Sequence, residues 1–424
     1  MIKFKNIFLK GFSIKGPLKN NFIWSFLGNL IFLGCQWSIM LILARKGTPF
    51  IAGQYALALG FTMPVIAVCQ MQLTQLQVTD IKKEHSLKDY FVFRSVALLV
   101  GFLSVIILTK VFRSTDTKLI IFLFIAKSFE SLGEVIYGYL QSSEKFKELA
   151  FIKIFRGIVI ILTVTICINA KFDLFTIIVA LSLISFLTFL FIEYRLVTSI
   201  IRKDSFGKWA GFKNIFIAAF PLGLSSGLNS VTTNIPRYFL NYYYGKEVVG
   251  YFSVIYSPIT WLALIPSVMN QVILPKASFY IQNKQLKEYI NIIVKYTIII
   301  SVFFAIVVLV FNLWGEELLA LLFGFQYAKY SNLLKILSVS LLIANIGCIG
   351  PYTVSASRSF WLQFSAVFLS FIIMLVGCFV FLKNEDWIII GWVEVTREAL
   401  IIIYYLLITY IILAKINRSQ NKIL

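Results

Sequence analysis

The amino-acid sequence predicts an all-α polytopic membrane protein with about twelve transmembrane helices in two six-helix lobes. Of the 424 residues, 59% are hydrophobic and only 14% are charged. The mean hydropathy of +0.86 excludes an ordinary soluble domain. Apolar stretches of membrane-spanning length recur along the whole chain. Features of the first half also recur at similar spacing in the second half, which predicts an internal duplication.

Twelve stretches are candidate spans, because about 20 helical residues cross the hydrocarbon core of a bilayer. In chain order they are 20–43, 50–79, 90–109, 118–140, 150–168, 172–197, 214–241, 248–274, 290–313, 331–350, 359–382 and 387–413. The predicted organisation is an amphipathic N-terminal segment at 1–19, an N-lobe at 20–197, a linker at 198–213, a C-lobe at 214–413 and a tail at 414–424. The connectors are short, so no room remains for a separate catalytic domain.

The net charge of +20 follows the predicted topology. Basic residues concentrate before the first span, after every second span and at the C terminus, for example at Lys10, Lys15, Lys82, Lys83, Arg202, Lys203, Lys284, Lys287 and Lys415. The positive-inside rule then places both termini in the cytoplasm, although Lys110, Arg113 and Lys118 on the outer side are exceptions. Topology and contact with anionic lipid headgroups explain the basic balance, so nucleic acid is not an expected partner.

Cysteine and histidine give no sign of metal or redox chemistry. The five cysteines, at 35, 69, 167, 348 and 378, lie singly in predicted spans, and the lone His85 lies in a connector. Neither a metal-ligand spacing nor a disulfide framework is visible. The sequence therefore predicts no metal, no cofactor and no catalytic residue, and the protein is not expected to be an enzyme.

The two halves of the chain share an order of turns and connectors. The glycine that opens the second span, Gly53, matches Gly250 at the start of the eighth, an offset of 250 − 53 = 197. The inner connector at 85–90 likewise resembles the one at 284–289. Six spans per half is an even number, so both halves enter the membrane in the same direction. They should be related by a pseudo-two-fold axis along the membrane normal, with a central cavity between them.

A third match shows where the halves differ in length. Residues 141–146 resemble 355–360 at a larger offset, 360 − 146 = 214. The additional residues are expected in a longer outer connector at 312–330.

Arg237 is the most informative single residue. It lies in the predicted seventh span, eight residues before the turn at Gly245, and therefore about 12 Å below the membrane surface. A charge at that depth costs about 3 kcal/mol or more unless it faces water, a carboxylate or a bound anion. Its own span carries no acid within a helical turn, so the sequence predicts a polar cavity that receives an anionic group.

Polar residues form stripes on neighbouring spans. Gln70, Thr74 and Gln77 are spaced to share one face of the predicted second span, and Asn229 and Thr233 share a face with the arginine. Such stripes line a wet cavity or bond helix to helix, and the charge of the arginine favours the cavity. The candidate substrate-binding residues are Arg237, Arg45, Gln36, Gln70, Thr74, Asn229, Thr233 and Asn234.

Two further groups of charged residues lie within predicted spans. They are Lys127, Glu130 and Glu134 on the fourth span, and Glu394, Arg397 and Glu398 on the twelfth. Their spacing permits ion pairs along one helix, and Lys153 or Arg156 on the fifth span could neutralise Glu134. One interpretation is structural pairing within each lobe, and the other is proton or ion coupling.

Several segments, in their order and spacing, resemble one family. They are NFIWSFLGN at 21–29, GQY at 53–55, PLGLS at 221–225, NIPRYFL at 234–240 and GYF at 250–252. The chain resembles the Wzx-type polysaccharide flippases, which form part of the polysaccharide-exporter branch of the MATE-like MOP superfamily. The resemblance extends over nearly the whole chain.

The resemblance implies translocation of an undecaprenyl-diphosphate-linked oligosaccharide from the cytoplasmic to the periplasmic leaflet of a bacterial inner membrane, for O-antigen, capsular or other surface polysaccharide. It implies a cationic cavity for the diphosphate, to which Arg237 carries over from the Ile-Pro-Arg motif. Arg45, Lys127 and Arg397 are further candidates. An ion or proton gradient would drive alternating access, and polysaccharide polymerase machinery would be a possible partner.

Three other functions remain open. A MATE-type drug or cation antiporter needs a cavity carboxylate, whereas spans one, two, seven and eight carry no internal acid. A lipid II flippase would have two more helices and several arginines in span one, which has none before Arg45. A membrane-embedded O-antigen polymerase or ligase would present a large catalytic outer loop, whereas the connector at 312–330 is short and has no histidine.

Overall fold

The computed structural model describes residues 17–79, 85–112, 116–195, 210–283, 285–357, 359–383 and 386–421, and the regular structure in these ranges is helical. The all-α fold class is confirmed. The predicted N-terminal segment as far as residue 16, and the linker from 198 to 209, lie outside the described residues.

The N-lobe is built from seven α-helices within the described ranges. They are α1 (Pro17–Lys46), α2 (Pro49–Gln70), α3 (Leu73–Thr79), α4 (Leu87–Val111), α5 (Thr117–Ser142), α6 (Phe146–Asn169) and α7 (Leu174–Thr188), which continues as a π-helix at Phe189–Tyr194. Local sequence fixes several starts. Thr48 caps α2. Pro49 fits the first position of this helix, because a backbone N–H at that position would have no partner within the helix and proline has none to lose. Ser86 and Asp89 form a capping box at α4.

The C-lobe follows the same plan with more breaks. Its helices are α8 (Ala210–Tyr244), α9 (Lys246–Leu262), α10 (Leu264–Gln282), α11 (Leu286–Phe323), α12 (Phe325–Ala328), α13 (Ser331–Ile346), α14 (Ile349–Ala356), α15 (Phe360–Phe381) and α16 (Ile390–Asn421). A 3-10 turn at Trp387–Ile389 precedes α16. The face at which α1 begins is called the inner face below, and the opposite face the outer face.

In the described part of the chain, nine helices are long and apolar enough to cross a membrane, and the pair α13–α14, bent by 41°, would make a tenth. Helices α5 and α8 are also of spanning length, about 39 and 52 Å, but they carry the charged and polar residues of the predicted site. If these two also cross the membrane, the described helices make twelve spans, a number that stays a prediction.

Helix packing repeats between the lobes. Helix α1 packs along α6, and α8 packs along α15; α5 packs on α7, and α13 on α16. Helix starts keep the sequence offsets, since α2 and α9 begin 246 − 49 = 197 residues apart and α6 and α15 begin 360 − 146 = 214 apart. This repetition is the arrangement expected for two lobes related by an axis along the membrane normal.

Helix α2 supplies most of the contact between the lobes, against α8 and α9. At its outer end Gly53 faces Gly250. A β-carbon on Gly53 would lie 1.8 Å from the carbonyl oxygen of Lys246, and one on Gly250 would lie 1.8 Å from that of Pro49. Only glycine lets two backbones approach so closely. The two glycines that the duplication pairs therefore meet where the lobes cross.

The predicted second span is not one helix. Met71 and Gln72 have φ of 45° and 49°, in the left-handed region, and they separate α2 from α3. The break lies where Met71 packs against Gly223 of α8. It falls at neither a glycine nor a proline, so the sequence pattern alone does not reveal it. The predicted eighth span is likewise divided at Ala263.

The outer connector at 312–330 is mostly helical rather than a loop. Helix α11 continues to Phe323 through a kink at Trp314, whose φ is −125°. Gly324, with φ of 112°, then turns the chain into the short helix α12. The additional residues of the second half therefore mainly lengthen a helix.

Candidate functional site

Arg237 lies on α8 where that helix meets α9 and α2. Its Nε donates a hydrogen bond to Oγ of Ser253 at 3.1 Å, and its Nη1 donates to Oδ1 of Asn234. The side chain is part-buried rather than enclosed. Within the described ranges it forms no salt bridge. The structure thus holds a deep cation with two neutral partners.

Asn234 connects the arginine to the contact between the lobes. The asparagine is 5% exposed, and its Nδ2 donates to the carbonyl of Ser230 at 2.8 Å. Its Oδ1 would lie 3.4 Å from a β-carbon on Gly60 of α2, and Tyr238 hydrogen-bonds to the Gly60 carbonyl. The absence of a side chain at Gly60 brings α2 close to α8, so the guanidinium group is held beside the opposite lobe.

The predicted stripe on α8 has mixed roles. Asn229 is exposed, whereas Asn234 is buried and supports the arginine. Thr233 is part-buried, and its hydroxyl donates to the Ser230 carbonyl at 3.0 Å. Asn229 and Arg237 are therefore the members of this stripe best placed to meet a ligand.

Helix α16 brings the second charged group of the C-lobe close to Arg237. Arg397 donates to Glu394 through Nε at 2.9 Å and Nη2 at 2.7 Å, to Glu398 at 2.6 Å, and to Ser370 at 2.9 Å. Glu394 also acts electrostatically on Arg237. Arg237, Arg397 and the two glutamates together carry no net charge. Both carboxylates form their salt bridges with Arg397, however, and neither forms one with Arg237.

The N-lobe contains a larger ionic network. Its members come from α4, α5, α6 and the π-helical segment, and they are Arg94, Lys127, Lys153, Arg156, Glu130, Glu134 and Glu193. Four are cations and three are anions, which gives a net charge of +1. These seven side chains are called the N-lobe network below.

Gln36 belongs to this network rather than to the surroundings of Arg237. Lys127 and Glu130 form an ion pair at 2.8 Å, as their i, i+3 spacing predicts. Gln36 accepts from Lys127 at 3.1 Å and donates to Glu130 at 3.4 Å. The glutamine therefore joins α1 to α5.

Glu134 pairs with a residue that the sequence analysis missed. Arg94 of α4 lies 3.9 Å from it and also donates to Ser131 at 2.9 Å, whereas Lys153 and Arg156 were expected as its partners. Lys153 and Arg156 also act electrostatically on Glu134, but the salt bridge is formed by Arg94, because α5 packs against both α4 and α6. The sequence did contain a signal for this partner, because Arg94 is a charged residue within the apolar run of the third predicted span.

Arg156 pairs instead with Glu193. The two side chains are 2.7 Å apart and each is 1% exposed, and Tyr137 donates to the same carboxylate at 2.6 Å. Gly133 leaves space for that carboxylate, since a β-carbon there would lie 2.7 Å from it. Glu193 was missed because it lies in the π-helical segment. The α-helical periodicity of a sequence does not predict the different winding of a π-helix.

Lys153 is the cation of the network that forms no salt bridge with the described residues. It donates to Asn29 of α1 at 2.7 Å and lies 5.1 Å from the centroid of the Tyr137 ring. The surplus positive charge of the N-lobe thus lies between α1, α5 and α6.

The predicted stripe on the second span was wrong. Gln70 ends α2 just before the break, so it does not share a helical face with Thr74 and Gln77 on α3. The Thr74 hydroxyl donates to the Glu134 carbonyl at 3.5 Å, and Gln77 is buried against Gly138. Thr74 bonds α3 to α5 and Gln77 packs against α5, so these residues join helices, which is the alternative that the sequence left open.

The outer ends of the lobes are joined by polar contacts beside the glycine pair. Lys246 of the C-lobe lies 2.6 Å from Asp116 of the N-lobe, and Gln54 donates to the same carboxylate at 3.2 Å. Gly53, Gly250 and these three residues are called the outer seal below. Arg45, another predicted site residue, is exposed in the last turn of α1 at this face.

Metal chemistry has no visible basis in the ranges that the structure describes, where no group of three His, Cys, Asp or Glu side chains could hold an ion. All five cysteines are free.

Solved structures with this fold are membrane transporters. An inward-facing multidrug resistance MATE-family transporter of the MOP superfamily matches with a TM-score of 0.73 and 14% identity over 93% of this chain and 96% of its own. An outward-facing transporter of the same family matches with a TM-score of 0.66 and 14% identity over 96% of this chain and 98% of its own. A third match is a MOP-superfamily transporter from Pyrococcus furiosus that is described by the reverse polarity of its binding pocket. Its TM-score is 0.62, with 14% identity over 95% of this chain and 97% of its own. Fold and spans define a multi-pass membrane protein with a MATE-like fold.

Sequence relatives give the family. The model of the family described as polysaccharide biosynthesis protein matches residues 18–281. The capsular polysaccharide biosynthesis protein CapF of Staphylococcus aureus is 30% identical over 376 residues, 84% of this chain and 91% of that protein. The chain belongs to the polysaccharide biosynthesis protein family and has the fold of the MOP-superfamily transporters.

Proposed function

We propose that this transporter moves an oligosaccharide linked to undecaprenyl diphosphate from the cytoplasmic to the outer leaflet of a bacterial plasma membrane. Arg237 carries the proposal, because it is deep, part-buried and hydrogen-bonded to Ser253 and Asn234 without a salt bridge to any described residue. A guanidinium group can bind phosphate oxygens in a bidentate way, and a diphosphate supplies the missing counter-charge. The family supports a saccharide cargo for surface polysaccharide such as capsule or O-antigen.

The described lobes are held together at their outer ends, and α2 and α8 also meet nearer the inner face, where Ser226 donates to the Ala67 carbonyl at 3.0 Å. Helix α1 touches the C-lobe through Trp37, which donates to Ser257 at 3.1 Å, and through the Ala44 carbonyl, which accepts from Gln326 at 3.4 Å. Both contacts lie in the outer half of α1, and the outer seal lies at the same face of the protein. Release at the outer face then requires the seal to open while the lobes rock.

An ion or proton gradient is the proposed energy source, with no bound cofactor. Glu130 and Glu134 in the N-lobe and Glu394 and Glu398 in the C-lobe are the candidate coupling carboxylates. Each lies beside a cation, so protonation or ion binding would weaken a pair that holds helices together. Lys127 and Arg397 are the cations whose pairing would change.

Complementation tests the cargo. The chain is expressed in bacteria that lack their own lipid-linked glycan flippase, and surface polysaccharide is scored on a gel. Restored polymer is expected when the strain makes a glycan that the protein accepts, so capsule and O-antigen strains are used in parallel. A correctly inserted protein that restores neither polymer, and exports cationic drugs instead, would contradict the proposal in favour of a MATE-type antiporter.

Reporter fusions test the direction. A fusion after Lys208 should report the cytoplasm, and one near Glu316 should report the opposite side, because basic connectors stay inside. The reverse result would overturn the assignment of inner and outer faces.

A further inference from the structure

A groove lies at the outer end of the C-lobe, apart from Arg237 and from the outer seal. It has a volume of about 420 Å³ and runs between the starts of α13 and α16, with Lys335 and Ile336 on one side and Asp386, Ile388 and Trp392 on the other. Ligand sites of this order of volume, roughly 300–1,000 Å³, hold a small molecule or a headgroup. These five residues define what is called the α13–α16 groove below.

The groove lies at the level of lipid headgroups and faces outward. Lys335 is the fifth residue of α13 and Trp392 the third of α16, roughly 6 and 3 Å along their helices. Trp392 is 53% exposed, whereas Leu333 and Leu337 on the core side of α13 are fully buried. Tryptophan and lysine are the side chains that favour this interfacial level. The surrounding medium at the groove is therefore the outer leaflet.

The groove carries one charge of each sign, and the two charges are not paired with each other. No salt bridge joins Lys335 to Asp386 among the residues described. Asp386 accepts the N–H of Ile388 through Oδ1 at 3.5 Å, so its other carboxylate oxygen can receive a ligand. A cation and an anion held apart in one groove complement a zwitterion. Ile336 and Trp392 offer apolar surface to its glycerol and acyl carbons.

We propose that the α13–α16 groove binds the headgroup of a zwitterionic phospholipid that has a primary ammonium group, with the phosphate at Lys335 and the ammonium at Asp386. An anionic lipid such as phosphatidylglycerol satisfies Lys335 through the same phosphate but has no ammonium group for Asp386, so the acid favours the zwitterion. A neutral sugar satisfies neither charge. The site is independent of the glycan cargo and of Arg237.

Lipid-dependent stability of the purified full-length protein tests the proposal. Thermal unfolding in detergent is followed while phosphatidylethanolamine or phosphatidylglycerol is titrated, and retained lipid is quantified by mass spectrometry. Phosphatidylethanolamine should act at about tenfold lower concentration, the effect of one charge-assisted contact. Lys335→Gln should weaken both lipids. Asp386→Asn should weaken phosphatidylethanolamine about tenfold and abolish the preference.

Two matched variants serve as controls. Lys329→Gln and Asp173→Asn remove the same charges at the same face but outside the groove, and they should leave the lipid response unchanged. Equal action of both lipids on the wild type, or a preference that survives Asp386→Asn, would overturn the proposal. So would stabilisation by a soluble oligosaccharide that Lys335→Gln removes, since the groove would then be a glycan site.

Discussion

The N-lobe and the C-lobe pack their helices in the same order but arrange buried charge differently. In the N-lobe, three ion pairs from four helical segments form one network, and its deepest pair, Arg156 with Glu193, is almost inaccessible. In the C-lobe, Arg397 binds both Glu394 and Glu398, and Arg237 stands apart at the contact between lobes. Duplication preserved the backbone plan, while the charges diverged.

The difference separates two uses of a buried arginine. The fully enclosed pair Arg156–Glu193 keeps its surroundings when the lobes rock, so its role is to fix helices relative to one another. An arginine beside the opposite lobe changes its surroundings in each half of the cycle. Arg237 is held beside Gly60 of α2 through Asn234, so its access to a ligand depends on how the lobes meet.

The largest effect on stability is expected in the N-lobe. Arg156→Ala leaves Glu193 buried without its counter-charge, which should cost about 3–5 kcal/mol of unfolding free energy. The measurement is thermal or denaturant unfolding in detergent. The double variant Arg156→Met with Glu193→Leu should recover most of the loss, because an apolar pair replaces two compensated charges. A stable but inactive Arg156→Ala protein would break the comparison, because the Arg156–Glu193 pair would then act in transport and not in helix packing.

A smaller effect is expected at the crossing of the lobes. Gly53→Ala places a methyl group against the Lys246 carbonyl, so the outer ends must separate, at a cost of about 1–3 kcal/mol to the described state. A cysteine at Thr233 should then react faster with an impermeant reagent added outside. Gly34→Ala is the control, because no atom lies within 4 Å of its added carbon. Equal labelling of the two variants would show that the glycine pair does not seal the outer face.

The ion pair of the outer seal should matter less. Lys246→Gln removes the salt bridge to Asp116, whose two side chains are 20% and 15% exposed. The expected cost is therefore about 1 kcal/mol, or about a fivefold shift in the equilibrium between the described state and one with separated outer ends. The same labelling assay measures it. A change as large as that of Gly53→Ala would mean that charge, rather than close backbone packing, holds the lobes together.

The smallest effect is expected at Arg45. This side chain is exposed at the outer face, so Arg45→Gln should alter stability by less than about 0.5 kcal/mol and leave surface polysaccharide near the wild-type level. Loss of polymer would show that Arg45 is a second essential cation, at the outer face. The buried arginine at the contact between the lobes would then no longer differ in function from the exposed one.

The fold and the charged spans could be predicted from sequence because each has a local signal. Apolar length gave the spans, and the recurrence of Gly53 and Gly250 gave the repeat. Partner choice between helices could not be predicted, since Arg94 reaches Glu134 through packing that the periodicity of one helix does not specify. The break at Met71 similarly depends on contact with α8, and it separated residues that one continuous helix would have aligned.

The most direct test of the central claim compares Arg237→Ala with Arg237→Lys in the complemented strain, with the amount of inserted protein measured in parallel. Loss of a cation that makes no salt bridge with the described residues should cost little stability, so both variants should insert at wild-type levels. Arg237→Ala should abolish surface polysaccharide, and Arg237→Lys should retain a part of it, because lysine keeps the charge but loses bidentate geometry. Normal polymer from Arg237→Ala would contradict the account.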